Sequence, residues 1–378
     1  MRIAVDASEL TGNPTGVGRY LDRLLAQWAE FPEAQRHTFL LYVPALPGDP
    51  PPATLSPRLR AEWRALKPCG SARWQQVRLA SALRHERPNV LFAPAYSAPL
   101  LSGTPVVLAI HDLSFVAHPE WFPPRHGLRR RCLTRLSART ARAIVTFSEC
   151  SRSEIVRLLG VSPERIRVIP HGLMPPHRSA PALASRAPAS GDLAGAREPL
   201  VLYVGSVLNR RRVPDLIRSF ALLARDHADL RLAIVGENRS YPHQDLTAEA
   251  AASGVADQVT IHSYVSEPEL ARFYRRASAF AFLSEYEGFG LTPLEAMANG
   301  VPVVVLDTPV AREVYGNAAV YVERGEIAET AGALRLLLFD PLVRARVLKH
   351  APVVLARYSW ERAARETLAL AERVARAS

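Results

Sequence analysis

The sequence predicts an α/β protein of two doubly wound units, each a parallel sheet with helices on both faces. Three observations carry this. Short Val/Ile/Leu runs alternate with stretches of helical period along the chain. A segment dominated by Pro, Ala, Ser and Gly, residues 174–199 (MPPHRSAPALASRAPASGDLAGAREP), interrupts them. A second alternating series of similar length follows. Ligands of such sheets bind beyond the carboxyl ends of the strands, so two units facing each other across a cleft would line it with loops from both.

The elements read in order. Arg2–Asp6 (RIAVD) is a buried first strand and Val17–Phe31 the helix after it. Thr38–Val43, Val90–Pro94, Pro105–Ile110, Ala143–Phe147 and Arg167–Pro170 are further strands, with helices over Arg125–Arg142 and Ser151–Leu159. In the second series the strands are Leu200–Val204, Leu230–Val235, Val259–Tyr264, Ala279–Leu283, Val303–Leu306 and Ala319–Val322. Helices between them include Pro214–Ala224, Glu267–Arg275 and Pro293–Asn299, and Trp360–Arg376 closes the chain. This divides the protein into residues 1–175, a linker 176–199, a second domain 200–358 and a last helix, 359–378, able to cross back to the first domain.

The 378 residues carry 47 Lys+Arg against 36 Asp+Glu, a formal charge of +11. Residues 1–180 hold 24 basic and 13 acidic residues, so the whole excess lies in the first half. Such a half is drawn to nucleic acid, anionic lipid or phosphorylated substrates. Three cysteines, Cys69, Cys132 and Cys150, make neither a C-x-x-C pair nor a metal-ligand spacing, which suits a reducing compartment. The start, MRIAVDASEL, does not read as a signal peptide, and no apolar run is long enough to span a membrane. The expected location is cytoplasmic, with the inner face of the membrane within reach.

Four segments carry chemistry. Thr11–Tyr20 (TGNPTGVGRY) places Gly12, Gly16 and Gly18 between a strand and a helix, where backbone N–H groups can approach a phosphate or sugar. Its spacing is neither the dinucleotide fingerprint nor a P-loop. His111 follows the strand PVVLAI and can donate to a hydroxyl or phosphate, exchange a proton, or simply satisfy a backbone carbonyl. Gly205–Arg212 (GSVLNRRR) sets three arginines before a helix, as a pyrophosphate site or as a solvated basic turn. The most specific is Ser284–Ala298 (SEYEGFGLTPLEAMA). Glu287 sits on the loop, Gly288 and Gly290 flank Phe289, and Glu295 lies about a turn into the helix. Two carboxylates facing one ligand suit sugar hydroxyls, and the helix start suits an anion.

In this order and spacing the segments resemble glycosyltransferase family 4, retaining nucleotide-sugar enzymes of the GT-B fold with two Rossmann-like domains. The similarity runs from IAVDASELTGNPTGVGRY through HDLSFVAHPEWF, VTFSECSRSEI, VIPHG, VGSVLNRRRVPDLIRSF and EYEGFGLTPLEAMANGVPVV to YSWERAA. TGVGRY and HDLSF look most like the bacterial mannosyltransferases and rhamnosyltransferases of surface polysaccharide synthesis. The resemblance implies that Gly16 and Gly18 lie against the donor diphosphate or the acceptor, and that His111 meets the donor sugar's 6-position and helps catalysis. It implies that Arg210 and Arg211 hold the diphosphate and that Glu287 binds the transferred sugar. Phe289, Gly290 and Leu291 then give backbone contacts, and Glu295 binds the ribose. The family usually has lysine at the Arg211 position, and many members have arginine at the Ser206 position; Arg210 or Arg212 can compensate.

The resemblance further implies a nucleotide-sugar donor, GDP-mannose first and UDP or dTDP sugars next, with no cofactor and no metal. No D-x-D occurs in the chain. The acceptor implied is a glycan or lipid-linked saccharide. Between Glu120 and Glu149 there is no acidic residue but there are seven arginines: Arg125, Arg129, Arg130, Arg131, Arg135, Arg139 and Arg142. On a helix Arg131, Arg135, Arg139 and Arg142 share a face, with Leu128, Cys132 and Leu136 on another. This reads as a solvated surface helix or as one attracted to anionic lipid or to the acceptor. It holds no aromatic residue, which disfavours nucleic acid. A sugar-nucleotide epimerase of the same fold is the enzymatic alternative. A phosphorylase would need a cofactor lysine, and only Lys67 and Lys349 exist.

Overall fold

The computed structural model describes residues 1–11, 16–44, 58–173 and 197–377. Gly12 and most of the expected linker lie outside these. The chain divides into two compact units. One comprises residues 1–117, 124–172 and 358–378; the other comprises His118–Pro123 and residues 173–357. Two segments thus depart from the sequence expectation: His118–Pro123 is counted with the second unit, and the described residues before Leu200 are tied to it. Arg197 donates to Asn299 O at 2.8 Å, and Glu198 N–H to Arg276 O at 2.9 Å.

The first unit is a seven-stranded parallel sheet. In chain order its strands are β1 (Arg2–Asp6), β2 (Thr38–Val43), β3 (Ala61–Ala65), β4 (Val90–Ala93), β5 (Val106–Ala109), β6 (Ala143–Thr146) and β7 (Ile166–Val168). They lie side by side as β3-β2-β1-β4-β5-β6-β7. Register pairs Ile3 with Phe39 and with Val90, and Val107 with Ala143. Chain order reverses between β1 and β4, the place where doubly wound sheets open a crevice. The edge strand β3 escapes the sequence reading because AEWRA is exposed and charged rather than apolar.

The helix Gly16–Glu30 buries Leu21, Leu24, Leu25 and Trp28 on the sheet, and the Trp28 indole stacks on Phe39 at 5.2 Å. The helix Trp360–Arg376 belongs to this unit. Its Ala364 O accepts from the buried Trp28 Nε1–H at 2.8 Å, and its Glu372 contacts His37 at 2.8 Å. Gly172 makes the return possible, because a Cβ there would overlap the Trp360 backbone.

The second unit is a six-stranded parallel sheet: β8 (Leu200–Val204), β9 (Arg231–Val235), β10 (Val259–His262), β11 (Ala279–Phe282), β12 (Val303–Leu306) and β13 (Ala319–Val322). The order is β10-β9-β8-β11-β12-β13, so the reversal falls between β8 and β11. The registers Ala279↔Val201 and Phe280↔Val303 set the ends of β8, β11 and β12 level. Fully buried Tyr203, Phe280 and Tyr274 fill the core, with Leu334 and Leu337 of the helix Ile327–Phe339.

Candidate active site

The sheet order of the second unit explains why residues some 75 positions apart meet. The segment after β8 and the segment after β11 leave neighbouring strands at the same edge, on either side of the switch point. Their backbones then join: Glu285 N–H donates to Arg210 O at 2.8 Å. Arg211 Nε–H donates to Glu287 Oε1 at 2.9 Å, and Arg210 Nε lies 3.8 Å from the same oxygen. Ser284 Oγ–H donates to it at 2.9 Å. Arg211 also donates to Ser206 O at 3.0 Å, and its guanidinium lies 5.0 Å from the Phe282 ring centroid. The Glu287 carboxylate holds the Arg211 charge more firmly than usual, against the opposing effect of burial.

Of the residues singled out in the sequence, Ser206, Arg210, Arg211 and Glu287 are thereby brought together. Gly205 is required for this: at φ 140° it carries no Cβ, and a Cβ would press on the Arg211 guanidinium. The expected compensation by Arg212 is not what the structure shows. Arg212 turns away through a left-handed backbone (φ 47°), and its guanidinium is taken by Glu285 at 2.6 Å and by Asp215. A three-arginine run cannot present three parallel forks from one short turn. Here two arginines face Glu287 and one locks the turn to the helix Val213–Ala224.

Phe289 is buried, Gly290 caps the helix Leu291–Ala298, and Glu295 stands on that helix. The helix starts two residues earlier than the sequence expectation, so Leu291 opens it. Glu295 accepts from the phenol of Tyr274 at 3.1 Å. Tyr274 was not read from the sequence, since a buried tyrosine on an amphipathic helix has no motif. Gly290 (φ 85°) donates no side chain but its carbonyl accepts from Tyr315 O–H at 2.9 Å. Gly290→Ala should cost about 1–2 kcal/mol in backbone strain alone. A Cβ would also displace the Tyr315 phenol. A melting temperature unchanged from wild type would show that this cap does not hold the loop.

In the first unit, Gly16 opens the helix Gly16–Glu30 in an exposed position and Gly18 is buried within it. His111 follows β5 and is half-buried among Tyr20, Phe147 and His171, with ring centroids at 5.2, 4.6 and 5.7 Å. Its Nε2 lies 2.7 Å from Pro94 O. A carbonyl only accepts, so Nε2 carries the hydrogen and Nδ1 the lone pair. Burial lowers the His111 pKa from its ordinary 6.5 to about 4, and the nearby Arg130 charge adds to this. Near neutral pH it is therefore an uncharged acceptor at Nδ1. His171 is lowered in the same direction, first by burial.

The basic helix runs over Pro124–Thr140. Its buried residues are the small Gly127, Thr134, Ser137 and Ala138. Leu128 (57% exposed), Cys132 and Leu136 therefore point outward beside the exposed Arg125, Arg129, Arg135 and Arg139. Arg130 and Arg131 are half-buried and leave that surface, Arg131 pointing a guanidinium nitrogen at Phe115 O, 3.5 Å away. Among the described residues no group of three His, Cys, Asp or Glu side chains is placed to hold a metal ion. No described helix is long and apolar enough to cross a membrane.

The second unit thus defines a class: a doubly wound α/β protein with cations, a carboxylate and a helix start gathered at its switch point. Comparison with known proteins narrows the class. A family model described as Glycosyltransferase Family 4 matches residues 14–175, and one described as Glycosyl transferases group 1 matches 192–353. The chain is 32% identical over 283 residues to the D-inositol 3-phosphate glycosyltransferase of Acidothermus cellulolyticus, covering 68% of this chain and 60% of that relative. It is 26% identical over 295 residues to the O-antigen chain mannosyltransferase B of Escherichia coli, covering 77% and 76%. The sucrose-phosphate synthase of Thermosynechococcus elongatus shares the fold, with a TM-score of 0.76 over 100% of both chains at 18% identity. The chain belongs to the family 4 glycosyltransferases, and its fold is of the GT-B type.

Proposed function

We propose that the protein is a retaining hexosyltransferase that moves a sugar from a nucleoside diphosphate donor to a glycan or lipid-linked acceptor without a metal ion. The observation that supports this most is the convergence of Arg210 and Arg211 on Glu287 beside the start of the helix Leu291–Ala298. On this reading the two arginines take the donor diphosphate, a charge-assisted and bidentate contact. They offset the negative charge that grows on the leaving phosphate, the electrostatic work a metal does elsewhere. Glu287 accepts from hydroxyls of the transferred sugar and Glu295 from the ribose. Phe289, Gly290 and Leu291 offer backbone groups, and Ser206 and the Gly16–Gly18 turn border the phosphates. His111, neutral, accepts from the sugar's 6-hydroxyl through Nδ1. The C1–O bond to phosphate breaks as the acceptor oxygen bonds to C1 from the same face, and the departing phosphate takes the acceptor's proton.

Mannose is the first choice of sugar, supported by the likeness to the O-antigen mannosyltransferase. The outward stripe of Arg125, Arg129, Arg135 and Arg139 around Leu128 and Leu136 supports peripheral contact with an anionic membrane. Each basic residue near such a surface is worth about 1 kcal/mol.

A thermal-shift screen against GDP, UDP, dTDP and ADP sugars tests the proposal. At a hundredfold excess over Kd a native-state ligand stabilises by about 2.7 kcal/mol. One nucleotide class should raise the melting temperature by several degrees, GDP-mannose being expected. A null result for all four would remove the assignment.

A further inference from the structure

Glu285 adjoins the residues gathered at the candidate site without being one of them. Its side chain is only 10% exposed, whereas a carboxylate on a loop ordinarily faces water unless it is paired. One of its oxygens accepts from Arg212 at 2.6 Å, and the other lies 3.1 Å from Arg324. Its own N–H donates to Arg210 O at 2.8 Å. Glu285 thus holds the short turn after β8 twice, by backbone at Arg210 and by side chain at Arg212. With Arg324, which follows β13, one carboxylate fastens segments from three strands at the carboxyl edge of the second sheet.

The hold on Arg212 is the stronger of the two side-chain contacts. Arg324 is 67% exposed, and ion pairs in water contribute little. Arg212 is largely withdrawn from water, and its guanidinium is divided between two carboxylates: Glu285 takes Nη1, and Asp215 takes Nε and Nη2. Such charge-assisted bonds have a fixed geometry because the fork is planar. They keep Arg212 in a left-handed backbone (φ 47°), which an arginine adopts only where its surroundings impose it. Arg210 and Arg211 lie next to this fixed point. Both are aimed at Glu287 Oε1, so their like charges repel each other, and a turn without an anchor would relieve that by swinging one of them away.

We propose that Glu285 is a positioning residue: through Arg212 it fixes the turn that aims Arg210 and Arg211 at the donor diphosphate, and so sets the phosphate share of donor affinity. This rests on the glycosyltransferase reading and adds to it a residue that acts through another rather than on the ligand. Preorganised cations bind a diphosphate without first being ordered, which is where the gain in affinity arises.

The test is a double-mutant cycle read on phosphate binding. GDP, UDP, dTDP and ADP, each with its own nucleoside, and inorganic pyrophosphate are titrated into wild type, Glu285→Gln, Arg212→Asn and the double variant. Asn tolerates the left-handed region, so Arg212→Asn removes the fork and leaves the backbone turn available. Glu285→Gln should lose about tenfold of the preference for diphosphate over nucleoside, the share of one charge-assisted hydrogen bond, and Arg212→Asn about as much. The double variant should stay within about twofold of either single one, because both act through one contact. A merely structural role would lower the melting temperature and weaken nucleoside and diphosphate alike, leaving their ratio unmoved. An unchanged ratio, or losses that multiply in the double variant, overturns the proposal. If Glu285→Gln does not fold, the ratio in Arg212→Asn decides. Wild type that binds pyrophosphate but no nucleoside diphosphate overturns the glycosyltransferase reading instead, and the pyrophosphate titrations still decide on Glu285. Wild type that binds neither overturns both.

Discussion

Glu287→Gln should lower sugar transfer by a factor of about 10²–10³, the usual loss when a pre-placed polar group at a reacting centre is removed. The geometry gives this a second, opposite signature. Glu287 holds Arg211 at 2.9 Å and has Arg210 3.8 Å away. Neutralising it releases both cations, so nucleoside diphosphate should bind the variant at least as tightly as wild type. The side chains of the three residues are only 11–15% exposed, so loss of the pair costs up to about 3 kcal/mol of stability in this unit. Gln retains the shape and an acceptor for the Ser284 hydroxyl, and the fold should survive. Steady-state rates and nucleotide titrations on one preparation check both halves. Undiminished turnover would remove Glu287 from the site, and weakened nucleotide binding would show that it orders the arginines rather than competing with a diphosphate for them.

Acidification should loosen the first unit before carboxylates begin to titrate. His111 is neutral when folded, with a pKa of about 4, and takes up a proton near 6.5 when unfolded. Between those values the unfolded chain binds more protons, so unfolding free energy rises with pH and falls as pH is lowered. The stabilisation is present above about pH 6.5 and is lost on the way down to 4. From pH 7 to pH 5 the loss from His111 alone is about 2 kcal/mol. His171 is shifted in the same sense and adds to it. The groups facing this pocket are Asp112, Arg130, Tyr20 and His171. Urea unfolding of the first unit at pH 7 and pH 5 measures the slope, and His111→Gln should flatten it. A wild-type profile that is flat over this interval would mean that the imidazoles are solvated in the native state.

Much of the architecture is legible in the sequence because buried parallel strands are continuous apolar runs. AVYV at Ala319–Val322 and VVVL at Val303–Leu306 form strands at the residues expected. The strand AEWRA at Ala61–Ala65 is not legible, because an edge strand with an exposed face has no such run. The helix Pro124–Thr140 misleads in another way. Leu128, Cys132 and Leu136 mark an apolar face in the sequence, yet the residues buried are Gly127, Thr134, Ser137 and Ala138, and those three are left exposed. At the candidate site, residue types and spacing point to Glu287 and the arginine run. Which arginines face Glu287 depends on the left-handed turn at Arg212, a backbone event that three identical side chains cannot encode visibly. The guanidinium of Arg130 lies over the rings of Tyr96 and Phe115, which follow β4 and β5, a contact visible only once those strands lie side by side.

The helix Trp360–Arg376 has a consequence for how the chain becomes ordered. It completes the first unit's core, capping the Trp28 indole and meeting His37, although more than 300 positions separate these partners in sequence. The second unit, apart from His118–Pro123, is drawn from one continuous stretch lying between Gly172 and Tyr358 of the first. On a chain growing from its amino end, the sheet that begins first is therefore the one whose core closes last. Until the final helix emerges, Trp28 and the wall of aromatic rings around His111 wait for their cover, while the second unit already has every strand it needs.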